Sequence, residues 1–340
     1  MGLYLAERKN MGKCNTIVAP TNNPNKKDVL LKVQLNHSGS QKEFGKKGFF
    51  EYKNKTYREW NTDNSHYRKF IKNLGAYVES IEDDELKTAE LYFWGEWEGY
   101  SEFTVFPGNK NPLLPNGVHK PIFFDGIIYK DNDLQNTDPY VFGDTFKYAT
   151  CKQNGKMNNL QEGSLILFGS TYPKENVFVL DTVFVVKSNE PSLTIYENNA
   201  KNYSEIYKKS TLEPLKSIYT ENYSFNTKRI YQGQKWMDNR NYFSFVPCKL
   251  DDSGNGFERL SLNLTTFKYL NLSNYPSGKS YLKGCSLSPY EVWKVICKEA
   301  YDKGFKFGVW FEEPELNIVN SSINSDVKIS KSKVEKTKKC

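Results

Sequence analysis

Two tryptophans and two glutamates fall within five residues, Trp94-Gly-Glu96-Trp97-Glu98, inside the segment YFWGEWEGYS at 92–101. Laid out as a strand, Trp94, Glu96 and Glu98 point one way, and Gly95, Trp97 and Gly99 the other. A ring beside carboxylates suits a stacked base: the ring takes the flat face and the carboxylates accept N–H bonds. Tyr100 adds another ring with a polar tip. Gly95 and Gly99 admit unusual backbone angles or the close approach of a ligand. The same residues also suit a core tryptophan with glutamates on a solvated edge.

A second block, DPYVFGDTFKYATC at 138–151, carries Asp138, Phe142, Asp144, Tyr148 and Cys151. Asp138-Pro139 starts a turn, and Gly143-Asp144 breaks two apolar stretches. Asp144 is either a ligand-binding acid or a turn residue. Cys151 has no histidine near it in sequence to activate it, which favours a buried, inert thiol. The candidate acid–base or ligating carboxylates are thus Glu96, Glu98, Asp138 and Asp144. The candidate ligand-contacting rings are Trp94, Trp97, Tyr100, Phe142 and Tyr148.

Standard catalytic signatures are sparse. The three histidines, His37, His66 and His119, are far apart, and no CxxC pair exists, so no zinc site is expected. There is no GxSxG elbow. The segment SNYPSGKS at 273–280 approaches a phosphate-binding loop but has Ser273 where glycine is needed, and no room for the following helix. Gly254-Asn-Gly256 lacks the third glycine of a dinucleotide fingerprint. Glu51-Tyr-Lys53 has the Glu-x-Lys form of metal-dependent nucleases without an identifiable acidic partner.

The elements that must hold these blocks read as a mixture. Strands are expected at 28–35, 86–94, 121–129, 142–151, 164–168, 177–186 and 305–311. The last two apolar runs before residue 187 flank a hairpin-length turn. Residues 64–83 place Tyr67, Phe70, Ile71, Leu74, Tyr77, Val78 and Ile81 at intervals of three and four, which predicts a helix. Residues 107–121 are Pro/Gly/Asn-rich and predict a loop. Ser288, Pro289 and Glu291 form a capping box ahead of a helix that stops at Gly304. The fold class is α+β, with a mixed, mainly antiparallel sheet or small β-barrel core and a few helices. With 340 residues and roughly 150 per domain, two domains fit. The expected division is 1–190, an aromatic-rich α+β domain with both blocks; 191–314, a second α+β region; and 315–340, a disordered Lys/Ser-rich tail.

Aromatic residues make up 15% of the chain, with 23 Tyr and 22 Phe, so rings should fill the core and reach the surface. The net charge of +7 permits an anionic partner, but six lysines between 328 and 339 supply much of it. No stretch reaches the roughly 20 apolar residues of a membrane helix, and the six cysteines do not form a small disulfide scaffold. A cytoplasmic protein with no membrane partner is expected.

The blocks WGEWEGYS (94–101), DPYVFGDTFKYATCKQ (138–153) and GSLILFGS with FVLDTVFVV (163–170, 178–186) resemble bacterial nucleotide-modification-associated domain proteins. The resemblance spans about 86–186. It implies a setting of DNA base modification and phage defence. The run at 163–186 is also similar to the barrel core of PUA, ASCH and EVE-type domains, which bind nucleic acids, some reading a modified base in an aromatic cage. Ser164 stands here where their Gly-Asp turn carries Asp.

Three readings follow. The first is a nucleic-acid or nucleotide binding protein, extending to a modified base, with Trp94 and Trp97 stacking and lysines at 42–55 and in the tail on phosphates. It expects both tryptophans exposed in a cleft. The second is a hydrolase or transferase acting on a nucleotide or base. It expects Glu96 or Glu98 within reach of Asp138 or Asp144. The third is a non-catalytic scaffold, which expects buried rings and no polar pocket. No cofactor follows from the residues.

Overall fold

Two layers of apolar side chains run through this protein, and its long strands feed both at once. The computed structural model describes residues 32–36, 49–53, 55–58, 68–108, 111, 113–125, 137–149, 153, 155–191, 203–214, 229–272 and 278–318. One sheet runs in the order β14 (Gly278–Tyr281), β1 (Lys32–Asn36), β9 (Leu165–Tyr172), β10 (Val177–Pro191), β11 (Arg229–Gly233), β8 (Lys147–Tyr148), with β13 (Leu260–Asn263) also pairing β10. The other runs β15 (Lys306–Phe311), β12 (Val246–Lys249), β5 (Lys87–Gly95), β4 (Lys69–Val78), β7 (Gly117–Asp125), β6 (Ser101–Val105), β3 (Lys55–Arg58), β2 (Phe49–Tyr52), with β16 (Glu315–Ile318) parallel to β7.

Strand β15 pairs with β4 as well as β12, which closes β15, β12, β5 and β4 into a four-strand antiparallel barrel. The core is therefore mainly β, with few helices. Closure removes edges that would otherwise expose unpaired backbone. Strands from either side of residue 190 pair in both sheets, as β10 does with β11 and β12 with β5. Among the described residues, no helix is long and apolar enough to cross a membrane.

The helix expected at 64–83 is corrected: its described part is strand β4, followed by a turn. The apolar pairs Phe70-Ile71 and Tyr77-Val78 mimic a helical stripe. In the strand, Phe70 and Val78 face one apolar cluster, while Ile71 and Tyr77 face the other. A strand buried on both sides needs apolar residues at both parities, and that pattern overlaps the spacing of three and four. The loop expected over 107–121 ends early, because β7 begins at Gly117. His119 on β7 is buried, with Nδ1 at 2.5 Å from Ser101 Oγ on β6.

The hairpin of β9 and β10 forms as the sequence indicates, with one irregularity. Leu180 pairs Gly169 and Thr182 pairs Phe168, so Asp181 is the extra residue of a bulge. The bulge flips the phase of the strand. Phe178 and Leu180 share a cluster with Val183 and Val185. A bulge re-aims the side chain it carries, and Asp181 consequently points into the protein, where it meets two arginines.

The helix α2 (Pro289–Asp302) starts as its sequence requires. Ser288 Oγ accepts from the Glu291 amide at 3.2 Å, and the Glu291 carboxylate accepts from the Ser288 amide at 2.6 Å. Val292, Trp293, Ile296, Cys297 and Ala300 are its buried face. Ser288→Ala should lower the unfolding free energy by about 1 kcal/mol, read as a shift of the urea midpoint at unchanged slope. A shorter helix, α1 (Glu205–Tyr207), continues as a π-helical turn over Lys208–Leu212.

Several sequence expectations fall outside the described residues: the strand segment 28–31, lysines 42–48, Cys151, residues 192–202 at the start of the expected second region, the 273–277 part of the phosphate-loop look-alike, and the tail beyond 318. The tail expected from 315 does not begin there, since Glu315–Ile318 form β16.

Candidate functional site

The first motif block lies inside the fold. Trp94 is 2% exposed and Trp97 1% exposed. The indole N–H of Trp94 donates to the Phe257 carbonyl at 2.8 Å, and that of Trp97 to the Tyr100 carbonyl at 2.8 Å. A ring offers a base its face only if that face reaches solvent or a cavity, and both indoles are spent on packing. Tyr100 is likewise buried, edge-on to Phe124 at 5.8 Å. Gly99 permits the Trp97 pose, because a Cβ there would sit 2.5 Å from the indole.

Glu96 and Glu98 are buried as well, in a charge network. Arg68 Nη1 binds Glu96, and Arg68 Nε binds Asp181 Oδ2 at 3.0 Å. Arg259 grips both Asp181 oxygens, at 2.6 and 2.5 Å, and donates to Ser170 Oγ at 3.1 Å. Lys69 Nζ donates to the Trp97 carbonyl. Burial holds the Lys69 pKa well below its usual range, against the opposing pull of Glu98 and Glu96. The Glu98 amide donates to Thr137 Oγ1 at 3.2 Å. The arrangement resembles the interior polar networks that hold elements in register.

The second block divides. Asp138 is fully buried and accepts from the Ala149 amide at 2.9 Å. Phe142 is buried, edge-on to Trp97 at 5.7 Å, so the two blocks meet through their rings. Tyr148 stacks on Tyr231 at 5.7 Å in the core. Asp144, in contrast, is exposed on the wall of a cleft. Among the described residues, no three of the His, Cys, Asp and Glu side chains converge to hold a metal ion.

That cleft has a volume of about 410 Å³, within the roughly 300–1,000 Å³ of small-molecule sites. Gly143, Asp144, Thr145 and Lys147 form one wall, and Tyr203, Ser204, Gln232, Lys235, Trp310 and Glu313 complete it. Backbone pairing fixes the wall. The amides of Tyr140 and Lys147 each donate to the other's carbonyl at 2.8 Å, and Lys147 sits opposite Gln232 across β8 and β11. Gly143 N–H donates to the Phe311 carbonyl at 2.8 Å, which brings the end of β15 and Glu313 to the cleft. Gly143 has φ +76°, and a Cβ there would lie 2.9 Å from a Glu313 carboxylate oxygen. Glycine is required on both counts.

The chemistry of the cleft centres on Lys147. Its ammonium lies over the rings of Tyr207, Tyr140 and Tyr203, at 4.9, 5.3 and 5.9 Å from their centroids. It donates to the Thr145 carbonyl at 3.0 Å. Burial pulls its pKa down to about 8, outweighing the opposing charges of Glu313 and Asp144, and Lys235 adds to the lowering. The Glu313 carboxylate accepts from the Tyr140 hydroxyl at 3.0 Å and from the Ser204 hydroxyl. Burial, with Glu313 beside it, holds the Tyr140 hydroxyl protonated well above the usual tyrosine range.

The chain matches no family model, no curated protein and no solved structure. Of the candidate carboxylates and ligand-contacting rings named from the sequence, only Asp144 lines the cleft. Lys147 and Glu313 were missed. Lys147 lay in plain view in the second block as a lysine between two aromatic residues of a short strand. Glu313 lies two residues past the end of β15, in the Glu-Glu-Pro that follows it.

Proposed function

We propose that the protein binds a small ligand of the nucleotide class in the Lys147 cleft, with an anionic group between Lys147 and Lys235 and a flat ring toward Trp310 and Gln232. One observation carries the proposal: Lys147 is desolvated among three tyrosine rings, yet opens on a cavity. An ammonium withdrawn from water costs stability, and a displaced lysine pKa in a cleft is a mark of ligand or substrate contact. A bound anion would restore what burial removes. The flanking Asp144 and Glu313 limit how much negative charge the ligand brings. The resemblance of the motif blocks to nucleotide-modification-associated proteins supports the nucleotide class and a DNA-modification or phage-defence setting. The aromatic block at 94–101 has a supporting part in this reading, because Trp97 packs against Phe142, the neighbour of the cleft residue Gly143. The polar cleft weighs against a purely packing role for the second block.

The test is thermal shift against nucleoside mono- and diphosphates, inorganic phosphate and short single-stranded oligonucleotides, on wild type and Lys147→Met. A ligand of the folded state raises the melting temperature by mass action. Stabilisation by a nucleoside phosphate, lost in Lys147→Met, is expected. No shift with any member of the panel would remove the nucleotide class.

The same variant makes a second prediction, in the absence of ligand. Lys147 has a pKa of about 8 when folded and an ordinary 10.5 when unfolded. Below pH 8 both states are charged, and the burial penalty opposes folding in full. Between 8 and 10.5 the unfolded chain keeps a proton that the folded chain has released, so wild-type stability rises with pH across that window. Lys147→Met removes the penalty. At pH 7 the variant should be more stable than wild type, by on the order of 1–3 kcal/mol, and the gap should close as pH approaches 10.5. Equal stability of the two at pH 7 would show that the ammonium is not penalised by its site.

A further inference from the structure

Resting on the assignment of the cleft as the ligand site, we propose that Lys147 Nζ is a carbonyl-reactive amine, forming an imine with an aldehyde- or ketone-bearing ligand seated there. Three conditions must meet for such chemistry: a fixed amine, a cavity that brings the carbonyl to it, and a proton carrier beside it. The amine is fixed because the Lys147 backbone is paired on both sides, to Tyr140 and to Gln232 on β11. Its nitrogen is held over the rings of Tyr140, Tyr203 and Tyr207. The cavity is the cleft itself, and Lys147 lines it.

The third condition is met by Glu313. Its carboxylate is turned to the hydroxyls of Tyr140 and Ser204, and among the described residues it forms no ion pair with Lys147. An ion pair would lock the proton on the ammonium. In its place stand a carboxylate and two hydroxyls able to pass a proton across the mouth of the cleft. Burial acts in the same direction, and with a pKa of about 8 roughly a tenth of Lys147 is free amine at neutral pH, against well under a hundredth for an ordinary lysine.

The step balances without a further reagent. The Nζ lone pair forms the N–C bond as the carbonyl π pair moves to oxygen. Nitrogen loses a proton and oxygen gains one, giving the carbinolamine. The remaining N–H proton then passes by way of the Glu313 carboxylate to the carbinolamine hydroxyl, the C–O bond breaks to release water, and the nitrogen lone pair forms the C=N bond of the imine. No oxidation or reduction occurs.

The test uses the full wild-type chain, limiting glyoxylate as the probe aldehyde, and sodium cyanoborohydride, whose hydride converts the imine to a stable secondary amine. Peptide mass mapping then reads the label at each lysine. Lys147 should be modified at least about tenfold faster at pH 7 than the exposed Lys120 and Lys174, with a rate that levels off above pH 8. Labelling of Lys147 no faster than those two would overturn the proposal. A parallel reaction with a nucleoside monophosphate present separates the two readings. Fast labelling that the monophosphate does not suppress would leave the amine reactive and remove the nucleotide assignment. A retained thermal shift with slow labelling would leave binding standing and remove the imine.

Discussion

Replacing Asp181 by alanine should lower the unfolding free energy by about 3–5 kcal/mol, or prevent folding altogether. Asp181 is 1% exposed and accepts from Arg259 through both oxygens and from Arg68 through one. Its loss leaves two guanidinium groups in the core with their shared counter-charge gone. The cost comes from stranding the charges rather than from the net worth of the pairs. Charges already paired at low dielectric roughly recover their desolvation, and no more. Replacing Arg68, Glu96, Asp181 and Arg259 together, a set with no net charge, by apolar residues of similar volume should therefore cost much less than Asp181→Ala alone. Urea unfolding of both variants measures this. Equal losses in the two would show that the site is sensitive to shape rather than to charge.

Trp94→Ala should be comparably severe, at about 3–5 kcal/mol. The indole is 2% exposed, packs against Phe70 at 5.7 Å, and lies under the Arg259 guanidinium at 5.9 Å. Truncation opens a cavity and also orphans the Phe257 carbonyl that the indole N–H now reaches. The same change should leave ligand affinity per folded molecule unaltered, since Trp94 does not line the cleft. A stacking residue would behave in the opposite way, with lost affinity and little lost stability. Calorimetric titration at a temperature where the variant remains folded, alongside its unfolding curve, distinguishes the two.

These two residues also mark where sequence reasoning succeeded and stopped. Local chemistry was legible. The Ser288–Glu291 capping box is satisfied within three residues, and the hairpin of β9 and β10 follows from two apolar runs and a turn. Burial on two faces was not legible. In β4 the apolar residues serve two clusters, and the resulting pattern counterfeits a helix. Nor could Asp181 be placed, because an acidic residue in an apolar strand gives no sign of the bulge that turns it inward or of partners 113 and 78 residues away. The density of Trp and Glu at 94–98 drew attention to a block that is held inside the fold by Arg68, which ion-pairs Glu96, and by Lys69, which donates to the Trp97 carbonyl, each 28 positions from its partner.

The cleft shows the same division. The segment around Asp144 was singled out because glycine and aspartate break an aromatic run, and it does form a cleft wall. The opposite wall comes from 203–204, 232–235 and 310–313, brought in by long-range strand pairing and by the turn of Gly143 against Phe311. Lysine is usually a solvated surface residue. Only the arrival of Tyr203 and Tyr207 over Lys147 turns it into a desolvated amine.

The most direct measurement is a crystal structure of the protein soaked in a nucleoside monophosphate at millimolar concentration. The account predicts ligand density in the Lys147 cleft, with the phosphate approaching Lys147 and Lys235. Ligand density at any other surface, with the cleft empty, would contradict it.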